Sequence, residues 1–251
     1  MKPGLSIITA TYNSAGTIRD CLASVAAQSI EVEHIIVDGA STDTTLEIVN
    51  EFPHVTRVVS ERDNGIYDAM NKGIALASGD VVGILNSDDF YAGPNVLQQV
   101  MAAFSATEEP DSCYGDLEYV DACDSARVTR YWRSGQFRKS SFYWGWMPPH
   151  PSFFVKREIY DHCGMFNTAM GTAADYELML RFLLKFGISA AYIPAVLVKM
   201  RSGGASNASI INRFKANRMD RKAWEINRLS PYPWTTCLKP LRKIGQFRVF
   251  F

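Results

Sequence analysis

The sequence predicts an α/β fold: a mostly parallel central sheet with helices on both faces, followed by a basic helical extension at the C-terminal end. Three observations predict it. Over the first hundred or so residues, four short β-rich apolar runs alternate with stretches of helical periodicity. The connections are short, which forces parallel strands, right-handed crossovers and helices on both faces. Polar clusters stand at the carboxyl ends of the runs, where open sheets of this kind bind their ligands.

The elements follow in order. Leu5–Thr11 (LSIITAT) is a buried-strand candidate, and Asn13-Ser14 lead into a helix on which Ile18, Cys21, Leu22, Val25 and Ala26 share one face. A second strand, Glu33–Val37, ends at Asp38-Gly39, and Thr44 and Glu47 have capping-box spacing for a helix that runs to about Phe52. Val55–Ser60 is the third strand. Ile66–Ala77 is helical and stops at Ser78-Gly79. Val81–Leu85 is the fourth strand, ending in Asn86-Ser87-Asp88-Asp89, and a fourth helix follows Pro94.

The rhythm changes after residue 110. Ser112–Val120 and Val128–Trp132 read as strands, the aromatic stretch Phe137–Pro149 as a loop, and Ser152–Val155 as a further strand. Tyr176, Met179, Leu180, Leu183 and Phe186 mark one face of a helix, and Tyr192–Met200 is strand-like. Ser202-Gly203-Gly204 is a turn, and a basic helix is expected from about Ala208 to Leu229. The expected organisation is therefore a main domain over 1–206, with a ligand-binding half (1–110) and a second half (111–206), and a basic extension over 207–251.

With 47% apolar residues in 251, the chain can bury a sizeable core. Formal net charge is zero, so bulk charge favours neither nucleic acid nor membrane. The distribution says more: residues 1–212 carry 16 Lys and Arg against 24 Asp and Glu, and residues 213–251 carry 10 against 2. A basic end on an acidic body reads as a contact surface for something anionic. Five scattered cysteines without a C-x-x-C pair fit a reducing cytosol rather than a disulfide framework or zinc site. No secretory signal and no spanning run is visible, so the expected location is cytoplasmic, with surface association open to it.

Four constellations can carry chemistry. Asp88 and Asp89 are adjacent carboxylates at a strand end, the type of hard oxygen ligand that Mg²⁺ and Mn²⁺ share with substrate phosphates; the plainer reading is a polar turn and cap before Phe90. Asp38, also at a strand end, can accept a nucleobase N–H or serve only its own turn, with Ser41 and Asp43 as helix-start residues. The stretch Glu61–Gly73 sets Asp63, Asp68 and Lys72 around a helix start, suited to phosphate or ribose hydroxyls, or simply to a capped amphipathic helix. Asp175 opens a strong helix, either as its cap or as a base for a sugar hydroxyl. His150, in a Pro-Pro-His-Pro loop, and Trp146, with Trp144, are candidates on the acceptor side, although core packing is the commoner fate of such aromatics. The remaining histidines, His34, His54 and His162, read as surface or structural. Dinucleotide, P-loop and zincin motifs do not occur.

The segments Ser6–Asn13, Val37–Thr45, Asp63–Gly73 and Leu85–Asp89, in this order, resemble the inverting family-two glycosyltransferases with the GT-A fold. The segments Asp63–Gly73 and Ala173–Leu178 are most similar to the branch that builds colanic acid and related bacterial exopolysaccharides. The resemblance implies that Thr9, Tyr12 and Asp38 hold the base, that Asp63 and Lys72 lie on the nucleotide side, and that Asp88 meets the ribose. Thr11, at the same strand end as Tyr12, joins this set. It further implies Asp89 as ligand to Mg²⁺ or Mn²⁺ and Asp175 as general base in a direct, inverting displacement. The donor would be a nucleotide-diphosphate sugar, UDP-linked ahead of GDP- or dTDP-linked, and the acceptor a glycan or polyprenyl-linked sugar. Asn86 and Ala174 depart from the family's usual acidic residues. The basic end, with Lys215, Arg218, Arg221, Lys222, Trp234, Lys239, Arg242, Lys243, Phe247, Phe250 and Phe251, suits an anionic membrane surface or an ordinary solvated helix. Two competing readings are an inactive sugar-nucleotide binding module and a nucleotidyltransferase. The latter would show a Gly-rich basic loop after the first strand, which Thr11–Ala15 lacks.

Overall fold

The computed structural model describes residues 4–203, 210–242 and 246. Four parallel strands form one half of the sheet: β1 (Leu5–Thr11), β2 (Glu33–Asp38), β3 (Val55–Ser60) and β4 (Val81–Ile84), in spatial order β3-β2-β1-β4. Between them run α1 (Ile18–Ala26), α2 (Thr45–Asn50) and α3 (Ile66–Leu76). The period-2 alternation of β1 divides the core. Ile8 and Ala10 pack with Ala69, Met70 and Ile74 of α3 on one face. Leu5 and Ile7 pack with Cys21 and Val25 of α1 on the other. That second face is continued by α4 (Val96–Phe104) through Leu97, Val100 and Phe104.

Past β4 the sheet continues through β8 (Phe153–Lys156), β6 (Ser112–Val120), β9 (Ala190–Arg201) and the two-residue β5 (Phe90–Tyr91), with β7 (Val128–Trp132) added to β6. Here the expectation of a mostly parallel sheet holds only in part. Among these described pairings β6–β9 is parallel, and β4–β8, β6–β8, β6–β7 and β5–β9 are antiparallel. The hairpin between β6 and β7 is too short for a crossover, so its strands must run antiparallel.

The stretch Phe137–Pro149, expected as a loop, contains a short helix, α5 (Lys139–Tyr143), because Phe142 is drawn fully into the core. A further helix, α6 (Arg157–Cys163), follows β8. The helix expected at Tyr176–Phe186 begins earlier, as α7 (Ala174–Met179), and continues as a π-helical turn over Leu180–Phe186. In the extension, α8 (Ile210–Ile226) and α9 (Thr235–Arg242) pack on α7 and on each other. Trp224 is completely buried and its indole N–H donates to the Tyr176 hydroxyl at 2.9 Å. Asn227 donates to the Glu177 carboxylate, and Lys239 pairs with Asp220 at 2.9 Å. The boundary expected at 206/207 lies outside the described residues. So do the side chain of Lys215 and residues Lys243, Phe247, Phe250 and Phe251.

Candidate active site

The carboxyl ends of β1, β2 and β4 meet in one place because their loops are stitched together by side-chain-to-backbone hydrogen bonds. Ser41 Oγ accepts from Asn13 N–H, Asn13 Oδ1 accepts from Thr42 N–H, and Thr45 Oγ1 accepts from Ser14 N–H, each at 2.8 Å. The hydroxyls of Ser14 and Ser87 then join the first loop to the fourth at 2.9 Å. Asn13 (φ 48°) and Ala40 (φ 62°) are held in the left-handed region, which side-chain-bearing residues adopt only where the surroundings enforce it.

Asp38 is fully buried at the end of β2. It accepts from Ser41 N–H (3.0 Å), Ser41 Oγ (2.5 Å) and Ser60 Oγ (2.6 Å). An ionised carboxylate has about four acceptor sites, so three donors leave little of it uncommitted. Asp63 reaches over Gly39 beside Tyr12: a Cβ added to Gly39 would lie 2.7 Å from Asp63 Oδ2 and 3.4 Å from the Tyr12 ring. Tyr12 is 61% exposed, so its ring is open to a ligand. Thr11 is buried and its hydroxyl has no partner.

After β4, Asp89 is completely buried and Asp88 half-buried. Asp89 Oδ2 accepts from Asn86 Nδ2 at 3.0 Å, while Asp89 Oδ1 and Asn86 Oδ1 are buried without partners. Burial raises the Asp89 carboxyl well above the ordinary carboxylate range, and the neighbouring Asp88 adds to the shift. Among the described residues no three His, Cys, Asp or Glu side chains assemble into a metal cage. Two orphaned oxygens beside a second carboxylate nevertheless fit a divalent cation whose remaining ligands come from substrate phosphates.

Asp175 stands in the first turn of α7, half-buried, with Oδ1 accepting its successor's N–H (Tyr176, 2.7 Å). It lines a small, mostly apolar cavity with His150, Ile84, Phe166 and Leu178. Burial pushes the His150 imidazole down, against the pull of Asp175. Burial likewise pushes the Tyr67 phenol up, with Asp175 adding to it.

Tyr119 feels both carboxylates. Its phenol is pushed up first by burial; Arg130 opposes this, and Asp89 and Asp175 each add to it. Both carboxylates therefore lie within electrostatic reach of one hydroxyl. Arg130 is the cross-strand partner of Tyr119, its guanidinium 4.2 Å from the ring centroid, and it donates to Gln246 Oε1 from Nε at 2.8 Å. The sequence reading missed Tyr119, Arg130 and Tyr67. The available signal was Arg130 itself, a guanidinium between Val128 and Trp132 on one side of an apolar strand.

Three expected site residues serve other ends. Thr9 is wholly buried, its hydroxyl 3.1 Å from His34 Nε2 and 3.7 Å from Cys21 Sγ, so it faces the interior between β1, β2 and α1 rather than a base. Trp146 is a core residue: its indole N–H donates to the Ser134 carbonyl at 2.8 Å, and its ring packs against Tyr114, Phe137 and Phe142, which leaves no face for a sugar. The Lys72 ammonium is 2.8 Å from Glu61, 3.7 Å from Asp68 and bonded to the Arg62 carbonyl, so it ties the 61–63 loop to α3.

A sheet with Asp38 at the end of β2, Asp88 and Asp89 after β4, and Asp175 of α7 lining a cavity with Ile84 of β4 is the frame in which the comparisons with known proteins fall. The sequence profile described as Glycosyl transferase family 2 matches residues 6–168. A PGL/p-HBAD biosynthesis glycosyltransferase of Mycobacterium tuberculosis is 31% identical over 218 residues, covering 84% of this chain and 82% of that one. The chondroitin synthase of Pasteurella multocida is 28% identical over 184 residues, 71% of this chain and 19% of that one. Among solved structures, S. aureus TarS 1-349 in complex with UDP superimposes with a TM-score of 0.64 at 20% identity over 89% of this chain and 65% of that one. The mannosyltransferase PcManGT from Pyrobaculum calidifontis, in complex with GDP-Man and Mn²⁺, does so with a TM-score of 0.64 at 20% identity over 96% of this chain and 68% of that one. The chain belongs to glycosyl transferase family 2. Its fold is of the GT-A type, and it is a glycosyltransferase.

Proposed function

We propose that this glycosyltransferase moves a sugar from a nucleotide-diphosphate sugar, a UDP-sugar first among them, to a hydroxyl of a lipid-linked glycan, with inversion at the anomeric carbon, in surface polysaccharide or glycolipid assembly. The observation that carries this reading is the pair of buried, unpartnered oxygens of Asp89 and Asn86 beside Asp88, suited to a cation, next to strand-end loops of β1, β2 and β4 that are hydrogen-bonded into one cluster. The solved neighbours in complex with UDP and with GDP-Man support a nucleotide-sugar donor. The mycobacterial relatives, named for a biosynthetic pathway, support an assembly role.

Each residue then has a task. The Tyr12 ring and Asp63 flank the base and ribose above Gly39, and Asp38 fixes the turn beneath them. Asp89, with Asn86 and Asp88, would hold Mg²⁺ or Mn²⁺, whose charge offsets that of the departing diphosphate. Arg130 supplies a permanent positive charge next to Tyr119. Asp175 accepts the proton of the acceptor hydroxyl as its oxygen bonds to the anomeric carbon; the anomeric carbon–oxygen bond to phosphate breaks, and its electron pair leaves with the diphosphate. His150 and Tyr67 beside Asp175 orient the acceptor.

The test is a thermal-shift panel of UDP-, GDP- and dTDP-sugars with and without Mn²⁺, paired with donor turnover. One donor class should stabilise the protein, and Asp89→Ala should abolish the part that depends on Mn²⁺. Asp175→Asn should lower turnover about a hundredfold or more while donor stabilisation persists. An unchanged Mn²⁺ effect in Asp89→Ala removes the ligand assignment. Donor binding with no turnover in wild type and Asp175→Asn alike would make the chain a binding module.

A further inference from the structure

Most large aromatic side chains of this protein are buried or half-buried, but three that are exposed stand together. Trp144, Tyr232 and Trp234 are 51%, 47% and 46% exposed. Their ring centroids are 6.3 Å (Trp144–Tyr232), 6.2 Å (Trp144–Trp234) and 5.3 Å (Tyr232–Trp234) apart. Trp144 comes from the transferase body just after α5; the other two come from the segment between α8 and α9. The cluster is built rather than draped. Tyr143 packs on both Trp224 (5.0 Å) and Tyr232 (5.2 Å), its carbonyl accepts from Thr235 Oγ1 at 2.7 Å, and α9 lies so close to Gly145 that a Cβ there would be 2.5 Å from Lys239 N.

We propose that this cluster seats the protein on an anionic phospholipid surface, in the interfacial region where Trp and Tyr rings partition. The charge of the surrounding segment fits that occupant. Over residues 217–242 the exposed ionic side chains are Arg218, Arg221, Lys222, Arg228 and Arg242 against Glu225, since Asp220 is buried and paired with Lys239. Leu241 (56%) and Ile226 (41%) add exposed apolar surface to the same segment. A neutral glycan stacked on the rings would gain nothing from five cations or from these aliphatic groups. No helix among the described residues is long and apolar enough to cross a membrane, so the contact is with the surface.

The location serves the reaction and rests, for that purpose alone, on the transferase reading above. Tyr143 touches Trp224, Trp224 bonds the Tyr176 hydroxyl, and Tyr176 is the neighbour of Asp175. One continuous packed column thus links these rings to the helix turn that carries Asp175.

The experiment is co-sedimentation of the full chain with vesicles of phosphatidylcholine alone or with one-quarter phosphatidylglycerol. Wild type should bind the anionic vesicles, with salt-sensitive affinity, and its tryptophan emission should shift to the blue. Trp144→Ala/Trp234→Ala should weaken binding at least tenfold with an unchanged melting temperature and unchanged thermal shift by UDP-sugar. Arg221→Glu/Lys222→Glu should weaken it as well. Equal binding to neutral vesicles, or aromatic variants that sediment like wild type, overturns the proposal. So does loss of maltohexaose binding in the aromatic variants with vesicle binding intact, which would make the cluster a glycan platform. A protein that binds vesicles through these residues but turns over no donor keeps this inference and removes the transferase mechanism instead.

Discussion

The carboxylate of Asp63 rests directly on the α-carbon of Gly39, close enough that the first side-chain atom of any other residue would fall 2.7 Å from Asp63 Oδ2. Two loops that follow different strands are brought into contact there, with the exposed Tyr12 ring at their edge. Gly39→Ala should displace Asp63 and Tyr12 without disturbing the core. The expected result is a donor KM raised about tenfold and a kcat within a factor of about three, since binding contacts and not the base are moved. Steady-state kinetics with varied donor check it; a fall confined to kcat would place Gly39 and Asp63 elsewhere in the cycle.

Arg130 and Tyr119 form a cross-strand stack on the β6–β7 pair. Lysine keeps the charge but loses the planar fork and the stacking. Arg130→Lys should therefore weaken UDP inhibition and donor binding about tenfold or more, in line with the loss of a charge-assisted hydrogen bond. Isothermal titration with UDP reads this directly. Undiminished UDP affinity in a folded variant would confine Arg130 to the structural stack with Gln246.

His34 gives the fold a dependence on pH. It is completely buried between Thr9 and His54, and burial, reinforced by repulsion from His54, pushes its imidazole down to about 3. The unfolded chain titrates this group at its ordinary value and so binds a proton that the folded chain refuses. Stability is consequently complete above the ordinary histidine range and is lost as pH falls from there toward about 3. Within that window His34 contributes a slope of up to about 1.4 kcal/mol per pH unit. Urea unfolding of wild type and His34→Gln between pH 4 and 7 should show a shallower pH dependence in the variant; parallel curves would mean that His34 does not stay neutral.

Trp224 carries the extension onto α7, the helix of Asp175. It is wholly buried and donates to the Tyr176 hydroxyl at 2.9 Å. Trp224→Ala should cost about 3–5 kcal/mol by large-to-small replacement. Trp224→Phe, which keeps an aromatic ring but loses the N–H, should cost about 1–3 kcal/mol. Because Tyr176 adjoins Asp175, the phenylalanine variant should also lower kcat more than it changes donor KM. Chemical denaturation and kinetics on the same preparation separate the two effects.

Much of the first hundred residues was legible from local pattern. The strands β1 to β4 and the helices α1 to α4 come from apolar periods and end signals that act over a few residues, and short crossovers between them admit one handedness and a parallel arrangement. The same logic put Asp38, Asp63, Asp88 and Asp89 near strand ends without any coordinates. It was weaker where packing competes with propensity. Phe142 pulls a helical turn into the stretch 137–149, and Trp146 is core rather than platform because Tyr114, from a distant strand, stands against it.

The sequence by itself determined which residues of the first hundred form strands and helices and on which side of each strand they fall, because those depend on neighbours a few positions away. Only the tertiary structure decided which of the polar side chains remain available. Thr9 and Lys72 satisfy themselves on His34 and Glu61, while Asp89 and Asn86 keep buried oxygens without partners. Those partners lie far apart along the chain, and whether a hydroxyl, an ammonium or a carboxylate is spent or free depends on the group the fold sets against it.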